Sequence, residues 1–459
     1  MHASGRGVRD LGLQVPHGRP VDGHRRRDRA QRRGRHLLHL RDAVSRFLPA
    51  GAVLLALCAC QSEPVDTSPP GAWTEAELRL LGRLRLVDEL PADPSNRYVG
   101  DPAAITFGRA LFFDLGLSGT GGVNCASCHR PDQHFADRQV LSNTLGPATR
   151  HTPSIVGSQQ GPWFFWDGRA DSLWAQALGP IENPIEMGGN RMEVARYVTV
   201  DKADLYRSAF GEPPDLTDAS RFPDKARPHA TGDAAPHARA WEAMQPEDRA
   251  LVDGVFANIG KAIGAYEATL LPHDAPFDHY VDAVLAGDPT GGGHLSEEQV
   301  LGLDLFIGKA GCVLCHNGPM FTDRAFHNNG VIESRPGYDP GRRSGAPMVL
   351  GSEFNCRGAH SDAERCDELD YLDPSFDDFL AAFKTPSLRY VDQTPPYFHN
   401  GSRATLEDVI DFYSDLDDPP PVGHRELTLK TLELDQAERA ALIAFMHSLT
   451  GEPVSPYEN

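Results

Sequence analysis

Basic side chains are scarce over most of this chain. Of its 44 Lys and Arg, 12 are arginines within the first 59 residues, which hold only 4 of the 64 Asp and Glu. The remainder carries 32 basic against 60 acidic groups, and a surface so charged repels a phosphate backbone, which argues against nucleic-acid binding. The same acidity suits a basic redox partner, and equally plain solubility. The apolar run from Phe47 through Leu57 is too short to span a bilayer as a helix. Missing too are the additional thiols or imidazoles, at structural-zinc spacing, that would complete a metal site around either C-x-x-C pair.

What the chain does contain is one pentapeptide pattern twice, Cys125-Ala126-Ser127-Cys128-His129 and Cys312-Val313-Leu314-Cys315-His316, 187 residues apart. C-x-x-C-H is the attachment signature of c-type haem: two thiols bond the porphyrin vinyl groups and the adjacent imidazole becomes the proximal iron ligand. A single copy could be chance or a thiol redox pair. Two copies, each after a similar helix-like run, point to two covalently bound haems, with His129 and His316 as iron ligands.

At 459 residues the chain fits two or three domains. Its 44 Gly and 37 Pro imply much irregular backbone, as in small cytochrome domains whose core is completed by the porphyrin. The expected fold is mainly α, two cytochrome c-like haem domains with long irregular loops, the first over residues 73–285 and the second over 286–459.

Residues 1–43, Arg-rich and without apolar periodicity, read as a mis-annotated leader, with translation beginning near Val44. Residues 44–59 read as a secretory signal, Arg46 preceding the apolar run and small residues preceding a cysteine. Its end resembles a bacterial lipoprotein cleavage box, which makes Cys60 the lipidated first residue of the mature chain and 60–72 a tether. The expected location is the periplasm, with membrane contact through this anchor only.

Thr74-Glu75-Ala76-Glu77 is a capping-box pattern that opens a helix through about Leu86. Another helix is expected over Pro102–Phe113, ahead of the first haem motif. The second motif has a parallel lead-in: Gly302-Leu303-Asp304-Leu305-Phe306 echoes Gly108-Arg109-Ala110-Leu111-Phe112, and Phe321-Thr322-Asp323 echoes Phe135-Ala136-Asp137. Between them, 211–246 lacks periodicity and reads as a surface insertion. Val252, Val255, Phe256, Ile259 and Ile263 mark a helix from Glu247 towards Leu271. Residues 333–383 read as acidic loop, and 435–449 as a closing amphipathic helix. With four cysteines on haem and two in the signal, Cys356 and Cys366 remain. Export favours a disulfide between them over two free thiols. His134 and His151 are candidate sixth ligands, each also compatible with a structural role.

The block Thr152-Pro153-Ser154, Phe165-Trp166-Asp167-Gly168-Arg169-Ala170, Gln176 and Gly179 through Gly188 resembles the central block of the bacterial di-haem cytochrome c peroxidases. Phe383-Lys384-Thr385-Pro386-Ser387-Leu388-Arg389 and Thr394 through Ser402 extend the resemblance, which spans about residues 75–450. It implies an enzyme that reduces hydrogen peroxide to water with electrons from a small cytochrome c or copper protein. Trp166 would relay charge between the haems, Glu186 would be the distal acid–base carboxylate, and Gln176 would hold peroxide or water. The first haem would be peroxidatic and the second would transfer electrons.

Where peroxidases of this family place a Met ligand on the second haem, the resemblance puts Tyr413, as in members similar to the methylamine-utilisation enzyme MauG. A phenolate is a hard donor that favours oxidised iron; Met348 competes for the same role. The alternatives to a peroxidase are therefore a MauG-like enzyme that oxidises Trp or Tyr side chains of a partner protein, or a non-catalytic di-haem electron carrier. The resemblance also implies a calcium ion, on carbonyls corresponding to Thr394 and Pro396, and a homodimer would be in keeping with it. His151 stands where the calcium-binding Asn would be, and imidazole suits a hard cation poorly.

Overall fold

The computed structural model describes residues 70–87, 91–333, 337–416 and 418–457. The leader, the signal, Cys60 and most of the tether lie outside them. Among the described residues the fold is mainly α, and no helix is long and apolar enough to cross a membrane. The helices in chain order are α1 Glu75–Leu84, α2 Pro102–Phe112, α3 Leu173–Glu182, α4 Arg191–Asp201, α5 Ala203–Phe210, α6 Ala235–Ala243 and α7 Pro246–Glu267. They continue with α8 Pro276–Leu285, α9 Glu297–Ile307, α10 Arg342–Gly351, α11 Asp367–Asp370, α12 Leu406–Asp415 and α13 Gln436–His447. Two-residue strands β1, Phe326–His327, and β2, Phe383–Lys384, pair antiparallel with Phe326 opposite Lys384.

The helix starts follow local chemistry. Thr74 caps α1 and Glu77 reaches back to its backbone, Asp101 caps α2 ahead of Pro102, and Ser296 with Gln299 boxes α9. Each satisfies amide donors that the first turn leaves unpaired. Asp435 and Glu438 do the same for α13.

Two apolar clusters organise the chain. The first gathers Phe107, Leu111 and Phe112 of α2, Trp174 and Leu178 of α3, and Val252 through Tyr266 of α7, with Phe135 beneath the first haem motif. The second gathers Leu303 and Phe306 of α9 with Leu442 and Phe445 of α13 and Phe321 beneath the second motif. Leu81 and Leu84 of α1 and Phe277, Tyr280 and Val281 of α8 also belong to the second cluster, so it draws on chain from both sides of residue 286.

The echo between the two lead-ins is spatial as well as sequential. A Cβ on Gly108 would stand 1.8 Å from the Ala262 carbonyl oxygen of α7, and one on Gly302 would stand 1.9 Å from the Ala441 carbonyl oxygen of α13. In both halves a glycine lets the lead-in helix touch a crossing helix backbone to backbone, and Leu and Phe three and four positions on enter the core beneath the haem motif.

Two segments depart from expectation. The stretch 211–246 contains α6, whose Trp241 is buried with Met244 in the first cluster. Segment 333–383 contains α10 and α11, and the Cys356–Cys366 disulfide closes the loop between them. No apolar periodicity announces either helix; single anchors do the work instead, Trp241 under Arg191 and Arg342 between the Trp163 and Phe326 rings, 4.0 and 4.3 Å from their centres.

Gly302→Ala should cost about 1–3 kcal/mol through overpacking of α9 on α13, measured as a lowered urea midpoint of the haem-loaded protein. An unchanged midpoint would show that the close approach is dispensable.

Candidate functional site: two haem-attachment motifs and the cavity between aromatic walls

Both C-x-x-C-H motifs adopt the same local structure. Cys125–Ser127 and Cys312–Leu314 are single 3-10 turns, and the histidine amide closes each, His129 on the Cys125 carbonyl at 2.9 Å and His316 on the Cys312 carbonyl at 2.8 Å. His129 Nδ1 lies 3.1 Å from the Phe135 carbonyl and His316 Nδ1 lies 2.9 Å from that of Phe321. A carbonyl only accepts, so Nδ1 carries the proton and Nε2 is left as a ligand atom. Burial lowers both imidazole pKa values, which keeps the rings neutral.

The four thiols are free of one another. Burial pushes Cys128 up to about 11 and Cys312 up to about 12. A thiol redox pair needs the opposite, a depressed thiol, so the motifs do not read as dithiol switches. Among the described residues the one metal-compatible group at a motif is Cys315, Asp323 and His327, with ligand atoms within 4.8 Å of one another. It includes a single thiol of the pair and so lacks the makings of a zinc site.

The second motif opens into a cavity of about 730 Å³. Cys312, Cys315 and His316 form one wall, and Phe306, Leu388, Ile410, Tyr413 and Met446 supply apolar surface. Two thiols, a neutral imidazole and an apolar slot of this size fit a covalently held porphyrin. Tyr413, on α12, points into the cavity and its hydroxyl accepts a hydrogen bond from Asn329 Nδ2 at 2.7 Å. Burial raises the phenol pKa, while the Asn329 bond acts in the opposite direction by stabilising a phenolate. Met348, on α10, is 55% exposed and lies outside the cavity lining.

Trp166 lines the same cavity, with its Nε1 donating to the His151 carbonyl at 2.8 Å and its ring 6.5 Å from His399. The surrounding block is held by charge. Asp167, 3% exposed, receives Arg150 at 2.5 Å and Arg169 at 3.1 Å, and Arg342 donates to the Gly168 carbonyl at 2.6 Å. Gly168 has φ +66°, and a Cβ there would meet Arg342 Nη1 at 2.3 Å, so the turn requires glycine. His151 lines the second cavity and its Nδ1 is spent on the Gln139 carbonyl at 2.8 Å. His134 stands beside Tyr390, ring centres 5.0 Å apart.

Glu186 and Gln176 belong to one segment, α3 and the turn that follows it. Glu186 is half-buried, held by its amide on the Asn183 carbonyl at 3.1 Å and by Thr144 Oγ1 on its own carbonyl at 2.9 Å. Burial raises its carboxyl pKa against the opposing pull of Arg169. Its charge is felt at Cys128, which places it on the side of the first motif. The carbonyl-bearing residues Thr394 and Pro396 line the second cavity with His151.

The sequence model of the di-haem cytochrome c peroxidase family matches residues 102–284, which include the first motif, Trp166, Gln176 and Glu186. The methylamine utilization protein MauG of Methylorubrum extorquens is 31% identical over 410 residues, 87% of this chain and 92% of that one. The chain belongs to the di-haem cytochrome c peroxidase and MauG family. The cytochrome-c peroxidase IdrP2 of Denitromonas iodatirespirans is 30% identical over 80% of this chain and 86% of its own. Among solved structures, a MauG-like protein associated with microbial copper homeostasis aligns with TM-score 0.53 and 26% identity over 83% of this chain and 96% of that one. Di-haem peroxidase BthA from Burkholderia thailandensis, at 20% identity, shares the fold with TM-score 0.58, covering 81% and 94% of the two chains. Membership of this di-haem family makes the chain a peroxidase-type oxidoreductase with two c-type haems and cytochrome c-like domains.

Asn329, His327, Arg324 and Lys384 were not singled out by sequence reasoning. Asn329 meets Tyr413 from 84 residues away and leaves no local pattern. Lys384 sits inside a stretch of family resemblance that by itself assigns it no role.

The cavity floor rests on a buried ion pair. Arg389 binds Asp278 at 2.5 and 2.9 Å, with both side chains at most 1% exposed, and also donates to the Pro319 and Leu84 carbonyls. Arg389→Met should destabilise the protein by about 3–5 kcal/mol, because Asp278 is left buried and unpaired. Chemical denaturation of the haem-loaded variant reads this; a loss under 1 kcal/mol would mean that Asp278 is solvated or protonated at little cost.

Proposed function

We propose that this family member reduces hydrogen peroxide to water, drawing electrons from a small cytochrome c or copper protein in the periplasm. Cys125, Cys128 and His129 would hold the peroxidatic haem, and Cys312, Cys315 and His316 the electron-transfer haem. Bound haem supplies the redox-active iron at which the peroxide O–O bond is cleaved. The protein must move a proton from one peroxide oxygen to the other as that bond breaks. Glu186 is the group proposed for this, and its half-buried position with a raised pKa on the first-motif side is the observation that carries the reading. A carboxyl whose pKa is raised by burial holds a proton more readily than an exposed one, as a group that takes and returns a proton must. Gln176, on the adjoining helix, would orient peroxide or water by hydrogen bonds.

Trp166 would pass charge between the two centres. Its support is position: it lines the second cavity while its block is pinned by Asp167 to Arg150 and Arg169. Tyr413 is proposed as the sixth ligand of the second haem in preference to Met348, on the strength of its half-buried position in the cavity wall. Calcium fits less well. With imidazole in place of the asparagine, two carbonyls, of Thr394 and Pro396, are too few for a cation that takes six to eight oxygens.

Tyr413 in the cavity wall favours a second reading, a MauG-like enzyme that spends peroxide on oxidising Trp or Tyr side chains of a partner protein. Treating the diferric protein with peroxide and then reduced cytochrome c separates the two. Rapid oxidation of the cytochrome supports the peroxidase; persistence of the stored oxidising equivalents beside excess cytochrome supports the alternative.

Glu186→Gln should abolish peroxide turnover, by at least the about 10²-fold that a general acid–base contributes, with both haems still attached on haem-stained gels. Undiminished steady-state activity would remove Glu186 from the proton path. Tyr413→Phe should leave the haems attached and alter the spectrum of the second haem; a spectrum like that of the parent would pass the ligand role to another side chain.

A further inference from the structure

Lys309, Arg324, His327, Lys384, Arg389 and Lys430 all line the second cavity, and their ionic partners differ sharply. Arg389 is committed to Asp278, Lys309 to Glu438 at 2.7 Å, and His327 to Asp323 and Glu426, both at 2.9 Å. Lys384, Arg324 and Lys430 also line the wall, yet among the described residues none of the three has a carboxylate within ion-pair distance. Lys384 and Arg324 are neighbours: Arg324 lies just before β1, and Phe326 of β1 pairs with Lys384 of β2. Burial, with Arg324 beside it, pushes the Lys384 ammonium down to about 8, and burial lowers Arg324 against the weaker pull of Glu368. Two cations turned to one cavity without an ion-pair partner are costly, and the arrangement makes sense when the occupant brings carboxylates.

We propose that Lys384 and Arg324 form the anchor for the propionate carboxylates of the second haem. The inference rests on the reading that Cys312, Cys315 and His316 carry that haem. Haem brings two propionates, and the ammonium and guanidinium supply charge-assisted donors for them. The anchor also touches the proposed relay, because the Lys384 amide donates to the Trp166 carbonyl at 2.9 Å. A carboxylate held at Lys384 therefore lies on the strand that positions Trp166, and the paired cations favour the reduced haem by offsetting propionate charge.

Potentiometric titration of the loaded protein, followed at the second haem, tests the proposal. Lys384→Met and Arg324→Met should each shift that haem to lower potential while leaving the first in place, and Lys384→Arg should restore most of the shift. Unchanged potentials in both Met variants, with both haems attached, overturn it. If Lys384→Met fails to retain the second haem, Lys384→Arg should retain it; loss in both variants also counts against the anchor. Failure of the underlying haem assignment reads differently, since Cys312→Ser with Cys315→Ser would then leave two covalent haems.

Discussion

An imidazole held through one ring nitrogen by a backbone carbonyl is the constraint on which the structure turns. The Phe135 and Phe321 carbonyls fix the tautomers and the ring planes of His129 and His316. Both phenylalanines have positive φ, 57° and 51°, which turns their carbonyls back towards the motif while their side chains sink into the apolar clusters. That geometry holds only if the lead-in helix brings the chain close enough, which Gly108 and Gly302 permit by letting α2 and α9 lie against backbone. A haem site is thus specified by glycine, Leu-Phe, C-x-x-C-H and a buried Phe, in that order, twice.

Identical scaffolds then receive different surroundings. Beside the first motif, Asp137 accepts from Ser142 and Glu186 stands with its carboxyl pKa raised. Beside the second, Asp323 and Glu426 each lie 2.9 Å from a ring nitrogen of His327. A hydroxyl in one half and an imidazole between two carboxylates in the other give the two sites unlike surroundings at equivalent positions. The proposed division of labour, proton transfer at the first site and electron transfer at the second, rests on Glu186, Trp166 and Tyr413 and not on the motifs themselves.

Much of this was legible in the sequence because the signals are local. C-x-x-C-H needs five residues, the capping residues Thr74, Asp101, Ser296 and Asp435 sit one step from the helices they start, and the Gly-x-x-Leu-Phe echo is contiguous. Cys356 and Cys366 were reached by elimination, and the structure joins them. What escaped is held by contacts distant in sequence. α6 and α10 have no apolar stripe and are anchored through Trp241 and Arg342. The hydrogen bond from Asn329 to Tyr413, the Asp278–Arg389 pair under the cavity and the unpaired Lys384 and Arg324 each join segments that nothing in the order of residues connects. Counting along the chain treats Tyr413 and Met348 alike, whereas in the fold Tyr413 lines the cavity and Met348 stands exposed outside its lining.

If one site is built to admit peroxide and the other to hold a side-chain ligand, the two irons must differ in coordination before any substrate arrives. Electron paramagnetic resonance of the diferric protein reads this directly. One high-spin signal, lost or altered on adding a small ligand such as cyanide, together with one low-spin signal that persists, is the expected spectrum. Two low-spin signals with no high-spin component would contradict an open first site and leave an electron carrier in place of an enzyme.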